Sequence, residues 1–431
     1  EALLDLSLES KSKGAKSALR RDLLDTILND KKNLVNDIFN IEPYFKASTH
    51  FWFSIYTQYT SQQVVIHDKE NLDLVYNVMD FEPLHQSSIN RFAKSKLQAD
   101  LALEHANRVK KALSGLHQAP GNLCSEEKAV LSSIKKSSVK IPANSEKKAA
   151  LFKKLASRLR TQTGQRDMVF NGVLRSLPYQ HFLDEQFDNF NLPRELLAVA
   201  FVESSFNLKA QSYAGASGVW QFMPRTAASF MPERNKHIDY RANPVISSLA
   251  ALHLLKQNKL ILKRWDLAVP AYNFGTSHLV KARRTLKGEV TLAKVLENYS
   301  HDNVGFASKN YYSEFLAMAY ALAYKDLIYP LSGYQKKNQK FKKDNIGVYV
   351  TKCRLRPKTF FNLLKNSSHG IKELNAHFRR WSPTFGRNKI VVSDVNLTHR
   401  KYRRISNKEL LKHYPKYLYK LARDSSCNSG R

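Results

Sequence analysis

The sequence predicts a mainly α-helical protein of several domains, with a small β-hairpin near its start and a small α+β module at its end. Apolar residues recur at three- and four-residue intervals in RELLAVAFVES, NPVISSLAALHLLKQ and KNYYSEFLAMAYALAY, which is the period of a helix with a buried face. The pattern changes in the last hundred residues, where short β-rich runs alternate with short helical runs. The 431 residues exceed what one core of about 250–300 residues accommodates, so we expect two or three domains.

Residues 1–165 predict a mostly helical scaffold region. It contains one hairpin, QQVVIHDKENLDLVYNVMD, in which two β-rich runs flank the polar turn DKEN. Residues 115–148 are polar with little apolar pattern, which favours a linker or a long surface loop. We interpret His67 and Asp68 in the hairpin as turn or packing residues rather than a catalytic pair.

Residues 166–330 predict an all-α domain, within which Asn243 and Pro244 begin a helix as N-cap and first helical residue. Residues 331–431 predict a β-α-α-β unit followed by a basic tail. Its strands are expected at GVYVTK and NKIVVSD, and its helices at KTFFNLLKN and IKELNAHFRRW.

The charge of the chain predicts a polyanionic partner. The net charge is +32, which fits nucleic acid, an anionic membrane face or an acidic polymer such as the bacterial cell wall. Residues 331–431 hold 25 Lys and Arg against 5 Asp and Glu, whereas 183–330 hold 17 against 13. No uninterrupted apolar run approaches the ~18 residues that span a bilayer. The three cysteines allow at most one disulfide and have no metal-ligand spacing.

Glu203 ends an apolar run, in the stretch LLAVAFVESSFN. The apolar residues surround this helix, so we expect it to be central and Glu203 to lie where the helix leaves the core and meets a cleft. A carboxyl group against apolar walls has a raised pKa and stays protonated, as a glycosidase general acid must. A capping or ion-paired glutamate is the alternative, and the neighbouring motifs decide against it.

Four short elements follow one another along the chain. They are Glu203-Ser204, then Gly215, Gly218 and Gln221, then Ala271-Tyr272-Asn273 with Gly275, and finally Asn310-Tyr311. In this order they resemble the lytic transglycosylase family, whose soluble-transglycosylase (SLT) domain is related to goose-type lysozyme, and within it the membrane-bound murein transglycosylase D group.

The resemblance implies a lysozyme-like helical catalytic domain that cleaves the β-1,4 bond between N-acetylmuramic acid and N-acetylglucosamine in peptidoglycan. One glutamate, here Glu203, protonates the glycosidic oxygen and then removes a proton from the C6 hydroxyl, which leaves a 1,6-anhydro end. No second carboxylate is required. A hydrolase of the same bond needs another carboxylate to orient water. Glu233 and Asp239 are candidates for it, but we expect both to be solvated at the surface.

The resemblance also implies roles for the residues around the cleft. Tyr272 and Tyr311 hydrogen-bond Glu203, and Asn273 holds the N-acetyl group. Ser204 and Phe274 complete the substrate-binding set, together with the glycine element, by which we mean residues 215–221, containing Gly215, Gly218 and Gln221. Its glycines suit a loop pressed against a sugar chain, and its glutamine offers both a donor and an acceptor. Trp220 fits either a sugar-stacking role or a core role, of which we expect the core.

The C-terminal module resembles a divergent LysM unit, a peptidoglycan-binding fold, which would hold the enzyme on its polymer. The expected partners are glycan strands and an anionic wall polymer, with no nucleic acid, no cofactor and no metal. We expect a monomer outside the cytoplasm, periplasmic or secreted, with a signal peptide removed. Three alternatives stay open: a hydrolase of the same bond acting on deacetylated glycan, a catalytically silent wall-binding protein, and a basic nucleic-acid-binding protein.

Phe274 departs from the family pattern, in which its position is often small or polar. We expect Phe274→Ala to change which glycan is cut more than how fast the best one is cut, because a large ring there fills space beside Asn273 without any proton-transfer chemistry. The measurement is the ratio of cleavage rates on fully acetylated and deacetylated walls for both proteins. An unchanged ratio would mean that Phe274 faces away from the cleft.

Overall fold

The computed structural model describes residues 21–116, 123–232, 234–235, 237–298, 305–331, 346–352, 374–378, 389–398 and 401–422. The chain divides into two compact units. The first unit comprises 1–169 with 301–324, and the second comprises 170–300 with 325–431. The predicted three-domain division stays a prediction. None of the described helices is long and apolar enough to cross a membrane.

The described elements are mostly helical. The α-helices are α1 (Arg21–Leu28), α2 (Lys46–Thr57), α3 (Glu82–Gln86), α4 (Arg91–Gly115), α5 (Ser125–Lys136), α6 (Ser145–Ala156), α7 (Arg166–Ser176), α8 (Gln180–Phe190), α9 (Ala198–Ser204), α10 (Pro224–Phe230), α11 (Pro244–Leu262), α12 (Trp265–Ala268), α13 (Ala271–Phe274), α14 (Thr276–Thr285), α15 (Leu292–Asn298), α16 (Phe306–Ala323), α17 (Lys325–Ile328) and α18 (Asn407–Lys412). Short 3-10 helices span Asp37–Phe39, Pro43–Phe45, Leu177–Tyr179, Arg194–Leu197, Tyr240–Ala242 and Pro415–Ala422. The strands are β1 (Gln63–Asp68), β2 (Val75–Asp80), β3 (Leu159–Thr163), β4 (Gly347–Thr351), β5 (Ile390–Ser393) and β6 (Tyr402–Arg404).

The first unit is built around an antiparallel sheet of order β2-β1-β3. The predicted hairpin is confirmed as β1 and β2, and β3 is an addition that the sequence pattern did not indicate. Helices α4, α5 and α6 cover the sheet and share its core. The predicted linker is therefore wrong over α5, because Val130 and Ile134 are buried in that core. Residues 117–122 lie outside the described part of this segment.

His67 and Asp68 have the structural roles that the sequence indicated. The His67 ring is fully buried against the rings of Phe51 and Phe306, and its burial lowers its pKa to about 4. The Asp68 carboxylate accepts hydrogen bonds from the backbone N–H groups of Glu70 and Asn71, at 2.9 and 2.7 Å. Asp68 therefore closes the hairpin turn, and His67 packs in the interior.

Helix α16, expected from KNYYSEFLAMAYALAY, is confirmed and belongs to the first unit. It packs along α2, where Trp52 Nε1 donates to Asn310 Oδ1 at 3.2 Å. The hydroxyls of Ser48 and Ser313 are 2.6 Å apart at the same contact. Tyr311 of α16 is 4% exposed.

The core of the second unit contains α9 and most of α11. Asn243 is the N-cap of α11, as predicted, since its Oδ1 accepts from Val245 N and Ile246 N at 2.9 Å each. Pro244 occupies the first helical position, where its missing N–H costs nothing. Capping matters here because Asn243 is itself fully buried, so the first N–H groups of α11 have no access to water.

The C-terminal part of the second unit contains an antiparallel sheet of order β5-β4-β6. Strands β4 and β5 confirm the strands predicted from GVYVTK and NKIVVSD, and β6 is a third strand. The predicted helix KTFFNLLKN lies outside the described residues, and IKELNAHFRRW is described only at 374–378. Whether this module is LysM-like stays a prediction.

Buried polar contacts join this sheet to the start of α11. Asn243 Nδ2 donates to Leu374 O at 2.7 Å and to His377 Nδ1 at 2.9 Å. His377 Nε2 lies 3.0 Å from Ile390 O, and the His377 ring stacks on Tyr240 with centroids 4.7 Å apart. One asparagine therefore caps a core helix and holds the C-terminal sheet. The basic module shares its interior with the helical core of the same unit.

Candidate active site

Glu203 lies on α9, one residue before the helix ends. The preceding residues Ala198–Phe201 are buried, while Glu203 is half-buried. This confirms the expectation of a central helix whose glutamate emerges at the edge of the core. The chain turns sharply after it, since Ser205 and Phe206 have φ of 49° and 53°. Left-handed backbone at two consecutive non-glycine residues is strained and needs support from its surroundings.

Helix α7 supplies that support. Arg175 Nη2 donates to Ser205 O at 2.6 Å, and Arg175 Nε donates to Phe206 O at 3.2 Å. A Cβ atom on Gly172 would overlap Ser205 O, so only glycine allows α7 to lie this close to the turn. The sequence did not single out Arg175 or Gly172, because both act on carbonyl groups about 30 residues away. Together they hold the backbone that follows Glu203 in its turn, and so they fix the end of α9 on which Glu203 lies.

Ser204 connects the end of α9 to the glycine element. Its Oγ lies 2.7 Å from Val219 O and 3.2 Å from Ala200 O, and it accepts from Asn207 N at 3.1 Å. The hydroxyl proton is therefore donated to a backbone carbonyl group of the protein itself. The predicted contact between Ser204 and substrate stays a prediction.

The glycine element is a tight loop with three residues in the left-handed region. The φ angles of Gly215, Gly218 and Gln221 are 90°, 80° and 45°. Gln221 Nε2 donates to Gly218 O at 2.7 Å and to Ala210 O at 3.3 Å, and Gly218 N donates to the same Ala210 O at 2.9 Å. The glutamine amide nitrogen thus closes the loop, which holds the Gln221 side chain in one position.

Arg241 holds the glycine element in place through hydrogen bonds to its backbone. Its Nη1 donates to Gly215 O at 2.7 Å and to Phe222 O at 2.9 Å. Its Nε and Nη2 bind the two carboxylate oxygens of Asp239, at 2.9 and 2.8 Å. Both side chains are almost fully buried. A bidentate pair of this geometry is the strongest form of a side-chain ion pair, so the glycine element rests on a rigid base.

The burial of Asp239 corrects one expectation. We predicted that Asp239 is solvated at the surface, but the residue is 1% exposed and its carboxylate is occupied by Arg241. Its alternative role as a second, water-orienting carboxylate loses support for the same reason. Glu233, the other candidate, lies outside the described residues.

Tyr272 lies beside Glu203 on the short helix α13. Burial and the nearby negative charge of Glu203 raise the pKa of Tyr272 well above its ordinary value, so the phenol keeps its proton. The hydroxyl donates to Trp220 O at 2.7 Å, and the ring lies edge-on to Phe222. Donation from Tyr272 to Glu203 itself stays a prediction. The structure does bring Tyr272, Glu203 and the glycine element together.

The remaining predicted residues differ in exposure. Asn273 is exposed and Phe274 is half-buried, and Gly275 ends α13 with φ of 83°. Trp220 is fully buried and donates through Nε1 to Ser248 Oγ at 2.8 Å. The expected core role of Trp220 is therefore confirmed, and stacking on a sugar is excluded for it. Tyr311 belongs to the other compact unit, so its contact with Glu203 stays a prediction.

Comparison with known proteins gives a match over the same part of the chain. Residues 184–291 match the family model described as "Transglycosylase SLT domain". The chain is 36% identical over 116 residues to membrane-bound lytic murein transglycosylase D of Escherichia coli (strain K12), and equally to the protein of that name in strain CFT073 of E. coli O6:H1. A protein of Alteromonas sp. (strain M-1), whose name describes tributyltin chloride resistance, is 31% identical over 116 residues.

These similarities cover a limited part of each protein. Each match covers 27% of this chain. It spans 26% of each E. coli protein and 56% of the Alteromonas protein. The matched family region contains Glu203, the whole glycine element and α13.

Two glycines of the loop allow a matched test of its packing. Both Gly215→Ala and Gly218→Ala place an L-residue at positive φ, which costs about 1–2 kcal/mol. At Gly218 the new Cβ atom also overlaps Arg241 O, whereas nothing lies within 4 Å of it at Gly215. We therefore expect Gly218→Ala to lose at least about 2 kcal/mol more stability than Gly215→Ala. Calorimetric melting of both variants measures the difference, and equal losses would contradict the close approach of Arg241.

Proposed function

We propose that the protein is a peptidoglycan lytic transglycosylase that cleaves the β-1,4 bond between N-acetylmuramic acid and N-acetylglucosamine, because residues 184–291 match the transglycosylase SLT domain model and the same part of the chain is similar to a lytic murein transglycosylase. The observation that carries this proposal is the placement of Glu203. It is a half-buried carboxyl group at the end of a core helix, beside Tyr272 and next to a rigid glycine loop. Such a position suits proton transfer to a bound glycan.

In the proposed reaction Glu203 acts twice. It first donates its proton to the glycosidic oxygen, so that the bond between C1 and this oxygen breaks and the N-acetylglucosamine side leaves as an alcohol. The resulting carboxylate then accepts the proton of the muramic acid C6 hydroxyl while this oxygen bonds to C1. The product is a 1,6-anhydro end, and Glu203 regains its proton in the second step.

The ion pair of Asp239 supports a transglycosylase over a hydrolase. Inverting hydrolysis requires a second carboxylate at about 6.5–9.5 Å to orient water, and the Asp239 carboxylate is held by Arg241. A nucleophile supplied by the substrate needs no such group.

The substrate contacts in the proposal follow the motif residues. Asn273 is exposed and would bind the N-acetyl group, while Phe274 would shape the same subsite. Gln221 and the backbone of Gly215 and Gly218 would contact the sugar chain. Ser204 belongs to the proposed set as well, through its bond to the loop.

The C-terminal module is proposed to hold the enzyme on the wall. Residues 331–431 carry most of the excess positive charge, and positive charge attracts carboxylates and phosphates over about 10 Å at 0.1 M salt. A LysM-like fold for this module, a glycan or anionic wall polymer as its partner, and a location outside the cytoplasm are parts of the same proposal.

Changing Glu203 to Gln tests the proposed chemistry. The amide has the same volume but no proton to transfer, so we expect the release of dye from labelled cell walls to fall by about 10²–10⁴-fold or more. Glu195→Gln is the matched control, since Glu195 is also half-buried and lies at the opposite end of the same helical segment. The control is expected to keep its activity. Near-normal dye release by the Glu203 variant would refute the proposal.

A further inference from the structure

A cavity of about 410 Å³ lies in the second unit, behind the glycine element. Its apolar lining comes from α10 and the residues after it, including Ala227, Ala228 and Met231. Asp239 and Arg241 also line it. Its volume is within the range of about 300–1,000 Å³ that is usual for small-molecule sites.

The described residues that line this cavity have a net positive charge. Among them, Asp239 and Arg241 neutralise each other. Arg234 and Lys416 are the other charged residues of the described lining, and neither forms an ion pair with another described residue. Lys416 Nζ donates to Ala228 O at 2.9 Å, which uses one of its three donors. The described lining therefore offers two positive groups together with apolar side chains.

Arg241 connects this cavity to the proposed glycan site. Arg241 lines the cavity, and its guanidinium donates to Gly215 O of the glycine element and to Phe222 O of the next residue. The cavity and the glycine element therefore share one residue as a common neighbour.

We propose that the cavity binds the carboxylate of a short peptide attached to the glycan, with Arg234 and Lys416 as the carboxylate-binding groups. This inference rests on the proposed function, since peptidoglycan strands carry such peptides. A guanidinium and an ammonium group together bind a carboxylate through charge-assisted hydrogen bonds. The apolar lining of alanines and methionine fits the small side chains of a peptide, whereas a bare phosphate polymer has no group to place there.

The test removes the charges of Arg234 and Lys416 and compares two substrates. The full-length double variant Arg234→Gln/Lys416→Gln, called the rim variant, is assayed on walls that keep their peptides and on glycan from which an amidase has removed them. The matched control is Lys408→Gln/Lys412→Gln, which removes two exposed charges of α18 that do not line the cavity. Both variants remove charge from the basic module, so the readout is the ratio of the rate on peptide-bearing walls to the rate on stripped glycan, which a loss of anchoring common to both substrates leaves unchanged. We expect this ratio to fall about tenfold in the rim variant and to stay at the native value in the control.

The outcomes separate this inference from the proposed function. A ratio that stays unchanged in the rim variant, or that falls equally in the control, would overturn the peptide site while leaving glycan cleavage intact. If the native chain cleaves neither substrate, the proposed function fails, and titration of the chain with the amidase-released peptides decides the site alone. Peptide binding that is lost in the rim variant supports the site. Binding of polyphosphate but not of the peptides would overturn it in favour of an anionic polymer.

Discussion

The buried pair of Arg241 and Asp239 is the constraint on which the candidate site depends. The Arg241 guanidinium binds the carbonyl groups of Gly215 and Phe222. The backbone carbonyl of Arg241 leaves no room for a side chain on Gly218. Burying two charges is costly, and removing one partner of such a pair typically costs about 3–5 kcal/mol. The four hydrogen bonds from the Arg241 side chain offset that cost. The loop that the proposal places against the glycan is therefore held rigidly before any substrate arrives.

The same pair connects the site to the basic C-terminal module. Asp239 N donates to His377 O at 2.8 Å, and His377 contacts Asn243 at the start of α11. Burial lowers the pKa of His377 to about 3, so the ring stays neutral and the contact is insensitive to pH near neutrality. The described part of the C-terminal module shares a core with the helices of the same unit, so it has a fixed position relative to Glu203. A module on a free linker would have no such position.

The sequence predicted those parts of the fold that have a local signature. The helices with a three- and four-residue apolar period, the DKEN hairpin and the Asn243 cap were confirmed because each depends on neighbouring residues. Helix α5 was missed because polar residues surround its two buried ones, Val130 and Ile134. Strand β3 reads LRTQT and has no apolar alternation, so only its pairing with β1 makes it a strand.

In the candidate site, too, the features that depend on neighbouring residues were predicted, and those that depend on distant residues were not. Glu203 at the end of a core helix and the positive φ of Gly215 and Gly218 follow from short motifs. Arg175 and Arg241 were not predicted, since each binds carbonyl groups 19 to 31 residues away and no local pattern marks them. Long-range contacts of this kind become visible only when the chain is folded.

Mass spectrometry of the fragments released from intact walls tests the central claim most directly, because the two possible reactions of Glu203 leave different ends. A lytic transglycosylase forms the bond from C6 to C1 within the muramic acid, so the account predicts fragments that end in 1,6-anhydro-N-acetylmuramic acid. Fragments with reducing muramic acid ends, heavier by one water, would contradict it and identify a hydrolase.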